Sequence, residues 1–380
     1  MKTRRLLSFW TAGALLLSLL SGCSGGGEKT GLGNGWEPEG SMELQYAKQF
    51  SVDNYAGGYR LITLGGGDRF LVIPEGKEAP EGMDRDIVPL YQPIQNIYLV
   101  ASSSMCLFDA LDSLDHIRLS GIKADAWYNE NAQKAMEAGD ILYAGKYSEP
   151  DYELILSSDC ELAVESTMID HVPEVREKLE DLGIPVFTDQ SSLESHPLGR
   201  TEWLKVYGVL MGREEEAEAL FSKQVDYITA AAEEESTGKT VAFFYISTSG
   251  YAVARKSGDY VTKMIELAGG TYIFNNLGDP EKSTSTVNLE MEQFYATAKD
   301  ADFIIYNSTI GGELQSLEEL LAKNALLKDF KAVQNGNVWC TGKNLYQETT
   351  QLGEMVLDIH QMLTNEDPSV TQLNFLYKLS

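Results

Sequence analysis

The side chains most able to do chemistry are few and scattered in this sequence. His116, His171, His196 and His360 are its four histidines, and only His171 and His196 fall in loop-like stretches. There is no HExxH pair, no GxxxxGK[ST] phosphate loop and no GxGxxG dinucleotide turn. Ile246-Ser247-Thr248-Ser249-Gly250 lacks the first glycine of a nucleophile elbow. Gly65-Gly66-Gly67-Asp68 reads as a turn between strands, not as a phosphate cradle. An enzyme is therefore not expected.

One cysteine does carry a covalent expectation. Lys2, Arg4 and Arg5 precede an almost wholly apolar run, Leu6 to Leu20, which ends in Leu20-Ser21-Gly22-Cys23. The run is too short for an ordinary membrane span and reads as a secretory signal over residues 1–22. The small residues before Cys23 resemble a bacterial lipobox, so the Cys23 thiol is expected to carry lipid; an ordinary signal peptide with an incidental cysteine is the alternative. The Gly-rich stretch from Ser24 to Gly40 then reads as a tether, giving a segment 23–41. Cys106, Cys160 and Cys340 remain. Three is an odd number without CxxC or zinc spacing, so they read as small apolar core residues, with at most one disulfide.

Charge narrows the partners. The chain of 380 residues has a formal charge of −27, which becomes −30 once the three cations of residues 1–22 are removed. Phosphate backbones need Lys and Arg, so nucleic acid is excluded. Docking on anionic lipid by charge is equally disfavoured.

The elements that would position any site alternate in type. Tyr59–Leu64 and Arg69–Ile73 flank the Gly65–Asp68 turn as a β-hairpin, within an extension over residues 42–94. Ile97–Val100, Ile117–Leu119, Glu161–Val164 and Ile184–Phe187 read as short buried strands separated by helices, making a lobe over residues 95–212. Ala217, Phe221, Val225, Ile228 and Ala232 form one apolar stripe on a long helix, residues 213–236, of about 35 Å. Thr240–Ser247, Phe303–Tyr306 and Asn337–Trp339 open a second strand–helix series over residues 237–380. The expected fold is α/β, with two Rossmann-like lobes joined by a single long rigid helix and an N-terminal β-hairpin extension.

Several segments carry a resemblance as they stand. Ile97 to Leu114 is IYLVASSSMCLFDALDSL; Glu149-Pro150-Asp151-Tyr152-Glu153-Leu154-Ile155 precedes Cys160-Glu161-Leu162-Ala163-Val164; Leu179 to Val186 is LEDLGIPV; Leu267 to Gly270 is LAGG. In this order, after a lipobox, they resemble the substrate-binding lipoproteins of ABC importers for iron complexes, haem and corrinoids. The resemblance spans roughly residues 95–363 and departs from the family at Asp159-Cys160, where Pro-Asp is usual. It implies a periplasmic-binding-protein fold of the helical-backbone type. It also implies an extracytoplasmic monomer, at the cell surface or in the periplasm, that holds a ferric siderophore, haem or cobalamin between its lobes. The ligand is then delivered to a permease dimer with its ATPase. One Glu from each lobe docks on permease arginines in that family; the matching residues are Glu153 and Glu292, with Glu290 a close competitor.

The ligand-facing residues follow from the rule that open α/β sheets bind at the carboxyl ends of their strands. That rule selects Ser103, Ser104 and Met105, then Trp127 and Tyr147 in the first lobe. In the second lobe it selects Tyr251, Arg255, Tyr306, Lys343 and Tyr346. Ser103 and Ser104 could equally cap a helix, and the rings could be rim packing. Rings with a few cations suit a large, flat or anionic complex, and His171 or His196 could ligate its metal axially. A zinc or manganese receptor would need several converging His and acidic residues. A surface lipoprotein with no role in transport is the other alternative.

Overall fold

The computed structural model describes residues 32–33, 35–232, 236–279 and 286–380. The signal expected at 1–22, Cys23 and most of the tether lie outside them. Among the described residues no helix is long and apolar enough to cross a membrane.

The N-terminal segment departs from expectation. β1 (Gly40–Ser41), β2 (Phe50–Tyr55), β3 (Tyr59–Leu64), β4 (Arg69–Ile73) and β5 (Ile87–Tyr91) form a five-stranded sheet in that order. The hairpin expected at 59–73 is its centre. β5 comes from the Pro- and Gly-rich connection and pairs with β4 in parallel. Pro89 is tolerated there because an edge strand leaves one side of its backbone without a ladder. One face of the sheet merges with the first lobe's core: Phe50 stacks edge-on against Trp203 at 5.2 Å, and Phe70 meets Phe187 at 5.2 Å. Leu32, Trp36, Ala79 and Met83 cover the other face. The extension is thus a layer of the first lobe, not an appended hairpin.

The first lobe holds β6 (Ile97–Leu99), α1 (Met105–Ala110), β7 (Ile117–Ser120), α2 (Glu130–Ala138) and β8 (Leu142–Tyr143). A small hairpin of β9 (Gly145–Lys146) and β10 (Glu149–Pro150) follows. Then come α3 (Tyr152–Ser157), β11 (Ala163–Ser166), α4 (Pro173–Asp181) and β12 (Val186–Asp189). Its main sheet is wholly parallel, in the order β12-β11-β6-β7-β8.

α5 (Pro197–Glu202) and α6 (Leu204–Met211) lead to Gly212, whose φ of +67° ends α6 in a left-handed cap. α7 (Glu214–Ala232) is the connecting helix. Its first turn packs Ala217 into the first lobe's core, while Phe221, Ile228 and Ala231 belong to the second lobe's core. One rod is therefore rooted in both hydrophobic clusters.

The second lobe contains β13 (Thr240–Ile246), β14 (Ala252–Arg255), α8 (Tyr260–Leu267), β15 (Thr271–Tyr272), β16 (Thr286–Leu289), α9 (Met291–Ala298) and β17 (Phe303–Tyr306). It continues with α10 (Ser308–Gly311), α11 (Leu317–Lys323), α12 (Lys331–Gln334), β18 (Val338–Thr341), α13 (Leu352–Thr364) and β19 (Leu376–Lys378). The order is β16-β14-β13-β17-β18-β19, with β15 also beside β13. β13, β15, β17 and β18 run parallel; β14, β16 and β19 form antiparallel pairings.

Candidate ligand cleft

Each sheet has one place where successive connections leave in opposite directions, and a crevice opens at its carboxyl edge there. In the first lobe that place lies between β6 and β11. The loops around it present half-buried Ser103 and exposed Met168, and the turn after β12 adds exposed Leu193. Thr167 Oγ1 and Ser192 Oγ, 3.4 Å apart, tie two of these loops together. In the second lobe the place lies between β13 and β17. A hollow of about 460 Å³ opens there, lined by Tyr245, Ser247, Thr248, Ile310 and Lys323. Lys323 Nζ donates to the Gly311 carbonyl at 2.9 Å and stands 5.7 Å over the Tyr306 ring. Any side chain at Gly311 would run into Tyr306 and Tyr245, so glycine lets the backbone pass close beneath the hollow.

The carboxyl-end loops of the two lobes meet. Gln347 donates through Nε2 to the Ala126 carbonyl at 2.9 Å and accepts from the Tyr128 amide at 2.8 Å. Thr201 Oγ1 donates to the Thr349 carbonyl at 2.9 Å. Exposed Tyr128 and Tyr143 stand on the first lobe's side, with Lys123 5.6 Å over the Tyr143 ring. Exposed Lys343 stands on the second lobe's side, paired with Glu313 at 2.7 Å.

The sequence-selected residues divide sharply. Ser103, Tyr147, Tyr251 and Lys343 keep solvent-accessible surface. Ser104, Met105, Trp127 and Tyr306 do not, and each is a correction. Ser104 Oγ donates to Asp189 at 2.7 Å, beneath the Tyr207 hydroxyl. Met105 is wholly enclosed in the first lobe's core. Trp127 Nε1 donates to Ser120 Oγ at 3.2 Å, so the ring is a core residue and its neighbour Tyr128 is the exposed one. Tyr306 is buried beneath α10, its hydroxyl donating to Gly311 O at 3.1 Å. α1 has no side-chain cap, so neither serine plays the capping role that sequence also allowed.

Arg255 and Tyr346 form an internal cluster instead of an anion clamp. Arg255 is buried against Asp259 at 3.2 Å and donates to the Tyr346 hydroxyl. Asn307 Nδ2 donates to the same hydroxyl at 2.8 Å. A buried charge needs a partner, and Asp259 at i+4 supplies it. Burial raises the Asp259 carboxyl while Arg255 and Arg200 lower it, and the carboxyl ends above its ordinary value. Arg200 lies 3.7 Å over the Tyr260 ring and donates to the carbonyls of Ser192 and Glu194. Both guanidiniums are thus already engaged.

His196 is corrected too. Its Nδ1 accepts from the Leu198 amide at 3.1 Å, capping α5, and its ring stacks on Tyr46 at 4.6 Å. Burial pushes its imidazole down to about 4, so it is neutral and occupied. His171 is exposed at the end of the short 3-10 turn Thr167–His171, on the switch-point loop. Among the described residues no group of three or more His, Cys, Asp or Glu side chains converges to hold a metal. Cys106, Cys160 and Cys340 are free thiols, each pushed up by burial, to about 12, 11 and 11.

Glu153 and Glu292 are both exposed in the first turns of their helices, α3 and α9, where acidic side chains complement the helix dipole. Exposed Glu290 occupies the N-cap position of α9 without making a side-chain cap bond. Sequence reasoning missed Tyr245, Ile310, Lys323, Met168 and Leu193. The strand-end rule points to their loops, but only the strand order says which loops flank a switch point.

Two α/β lobes on one rod, with their carboxyl edges facing, define a two-lobed solute receptor. The chain belongs to the periplasmic binding protein family, whose model matches residues 100–345. That is a family of substrate-binding proteins, not of enzymes. An uncharacterized lipoprotein of Methanocaldococcus jannaschii is 25% identical over 332 residues, covering 84% of this chain and 78% of that protein. The periplasmic haem-binding protein HutB of Vibrio cholerae superposes with a TM-score of 0.59 at 17% identity, over 71% of this chain and 99% of HutB. An ABC-type Fe3+-hydroxamate transport protein of Saccharomonospora viridis gives 0.56 at 18%, over 72% of this chain and 94% of its own.

Proposed function

We propose that this chain is a lipid-anchored receptor that captures a metal chelate outside the membrane, a ferric siderophore, haem or a corrinoid, and delivers it to an ABC permease. The observation that carries the reading is that the carboxyl-edge loops of the two lobes face each other, joined at Gln347 between the loops after β7 and β18, with a hollow open at the second lobe's switch point. Tyr128, Tyr143, Tyr245 and Tyr251 offer ring faces, Met168, Leu193 and Ile310 offer apolar contact, and Lys123 and Lys323 offer charge, with no salt bridge to either among the described residues. That mixture suits a broad organic ligand with a polar edge. Domain limits of 95–212 and 237–380 for the lobes, with 213–236 between them, fit this division of labour. Lipid on Cys23 and docking through Glu153 and Glu292 complete the proposal.

The test is a binding panel on the chain lacking residues 1–23, read by intrinsic fluorescence: haem, ferric hydroxamates and catecholates, cobalamin, and bare zinc and manganese. One chelate class should bind with micromolar or better affinity, and Tyr128→Ala together with Ile310→Ala should weaken it at least tenfold. Binding of bare metal alone would replace this reading with that of a metal receptor.

A further inference from the structure

α5 is short, yet its side chains reach both lobes. Leu198 is buried in the second lobe's core. Thr201 Oγ1 donates across to the Thr349 carbonyl at 2.9 Å. Arg200 engages the two lobes at once. Its Nε donates to the Glu194 carbonyl at 3.1 Å and its Nη2 to the Ser192 carbonyl at 2.6 Å, both in the first lobe. The same guanidinium lies 3.7 Å over the ring of Tyr260, the first residue of α8 in the second lobe. A planar guanidinium can donate along its edge while it stacks by its face, and a lysine ammonium cannot. Here the edge serves one lobe and the face the other.

The two carbonyls belong to the turn after β12, whose ends are tied down by side chains. Asp189 Oδ1 accepts from the Ser191 amide at 2.9 Å, and its Oδ2 accepts from Ser104 and Tyr207 at 2.7 and 2.6 Å. At the other end the Glu194 carboxylate accepts from the Lys48 and Gln49 amides. Between them Ser192 and exposed Leu193 form the apex, at the first lobe's crevice. Ser192 Oγ stands 3.4 Å from Thr167 Oγ1, on the loop that carries exposed Met168. A line of contacts thus runs from Tyr260 through Arg200 to two loops of that crevice.

We propose that Arg200 is a positioning residue that couples the first lobe's crevice turn, Ser191–Leu193, to the second lobe through the Tyr260 ring. The inference rests on the two-lobed receptor reading, because it needs a cleft at these loops and a second lobe that moves. Leu198 roots α5 in the second lobe's core, so a shift of that lobe carries Arg200 with it and draws on both carbonyls. The apolar contact of Leu193, and of Met168 beyond it, is then presented in register with the second lobe. A stacked cation away from bulk water biases an equilibrium by about tenfold, enough to set the place of a short turn. A guanidinium that merely closed the turn would need the two carbonyls and no ring.

The test is hydrogen exchange in the full-length chain without ligand. The reporters are the Leu193 and Glu194 amides, bonded within the turn to the Gln190 and Ser191 carbonyls. Tyr260→Leu changes only the other lobe, and it should cut protection of both reporters by about tenfold. Tyr260→Phe keeps the ring and should stay within about threefold of wild type. The Val100 and Asn307 amides, bonded within single lobes to Val164 and Phe244, should hold steady as controls. Arg200→Gln, a second variant that leaves Tyr260 in place, should loosen the turn. Coupling is reciprocal, so it should also loosen the Val261 amide, which donates to Asp259 Oδ1 at 2.9 Å in the first turn of α8. Reporters unmoved by Tyr260→Leu, or an equal loss in Tyr260→Phe, overturn the proposal. So does loss at Leu193 without loss at Val261 in Arg200→Gln, the pattern of a role confined to the first lobe. No ligand is added, so failure here is distinct from failure of every chelate to bind.

Discussion

At the scale of single residues, burial decides roles that residue type leaves open. Glu165, on β11, is wholly enclosed and neither carboxyl oxygen finds a partner. Thr188, its register neighbour on β12, also has an unpartnered buried oxygen. Burial pushes the Glu165 carboxyl up to about 8, against about 4.3 unfolded. Its contribution to stability is then complete below about pH 4 and is lost as pH climbs toward 8. Glu165→Gln should flatten that part of the pH dependence and raise stability at pH 8 by about 3 kcal/mol over wild type, measured by urea unfolding at pH 5 and pH 8. A role of this kind cannot be read from type, because the pattern Ala163-Val164-Glu165 does not say that the glutamate faces α3 and α4. Trp127 and Tyr128 make the same point: both are loop aromatics in sequence, and a single step along the chain separates a core residue from an exposed ring. The pairing of Arg255 was more legible, since Asp259 stands four residues on, but its significance depended on knowing that both are buried.

At the scale of elements, the helices and strands with strong periodicity were legible and the weakly patterned ones were not. α7 follows its stripe, because Ala217, Phe221 and Ile228 all turn inward. β5 was hidden, because a parallel edge strand containing Pro89 has neither clean alternation nor a tight turn before it. The segment between β1 and β2 was also hidden, because side chains elsewhere hold it. Glu202, fully buried on α5, accepts from the amides of Gln45, Tyr46 and Ala47 at 2.8–2.9 Å. Glu194 accepts from Lys48 and Gln49 at 2.9 Å each and from the Trp203 indole at 3.3 Å. Glu202→Ala should leave three amides without their acceptor and take from Lys205 one of its two carboxylate partners, Glu218 remaining, and lower unfolding free energy by about 3 kcal/mol, measured by chemical denaturation.

At the scale of the whole molecule, docking and charge come together. Glu153 and Glu292 are exposed on different lobes of a chain with a formal charge of −27. Replacing both with Ala should abolish permease-dependent uptake in proteoliposomes while leaving ligand affinity within twofold; unchanged uptake would remove them from the docking proposal. Binding to the permease should weaken as salt rises, as long-range attraction between acidic and arginine-bearing faces is screened. The two-lobe plan was legible because each strand–helix series announces a sheet. The facing of their edges was not, because it depends on strand order.

The way Leu32 and Trp36 pack on the outer face of the N-terminal sheet fixes more than that sheet. With lipid on Cys23, as proposed, only eight residues, nine steps along the chain, would separate the anchor from Leu32. Fully stretched they reach about 30 Å. On the proposed anchoring the first lobe would be the moored one and the second the free one, so that opening and closing would be movements of one jaw against a fixed one.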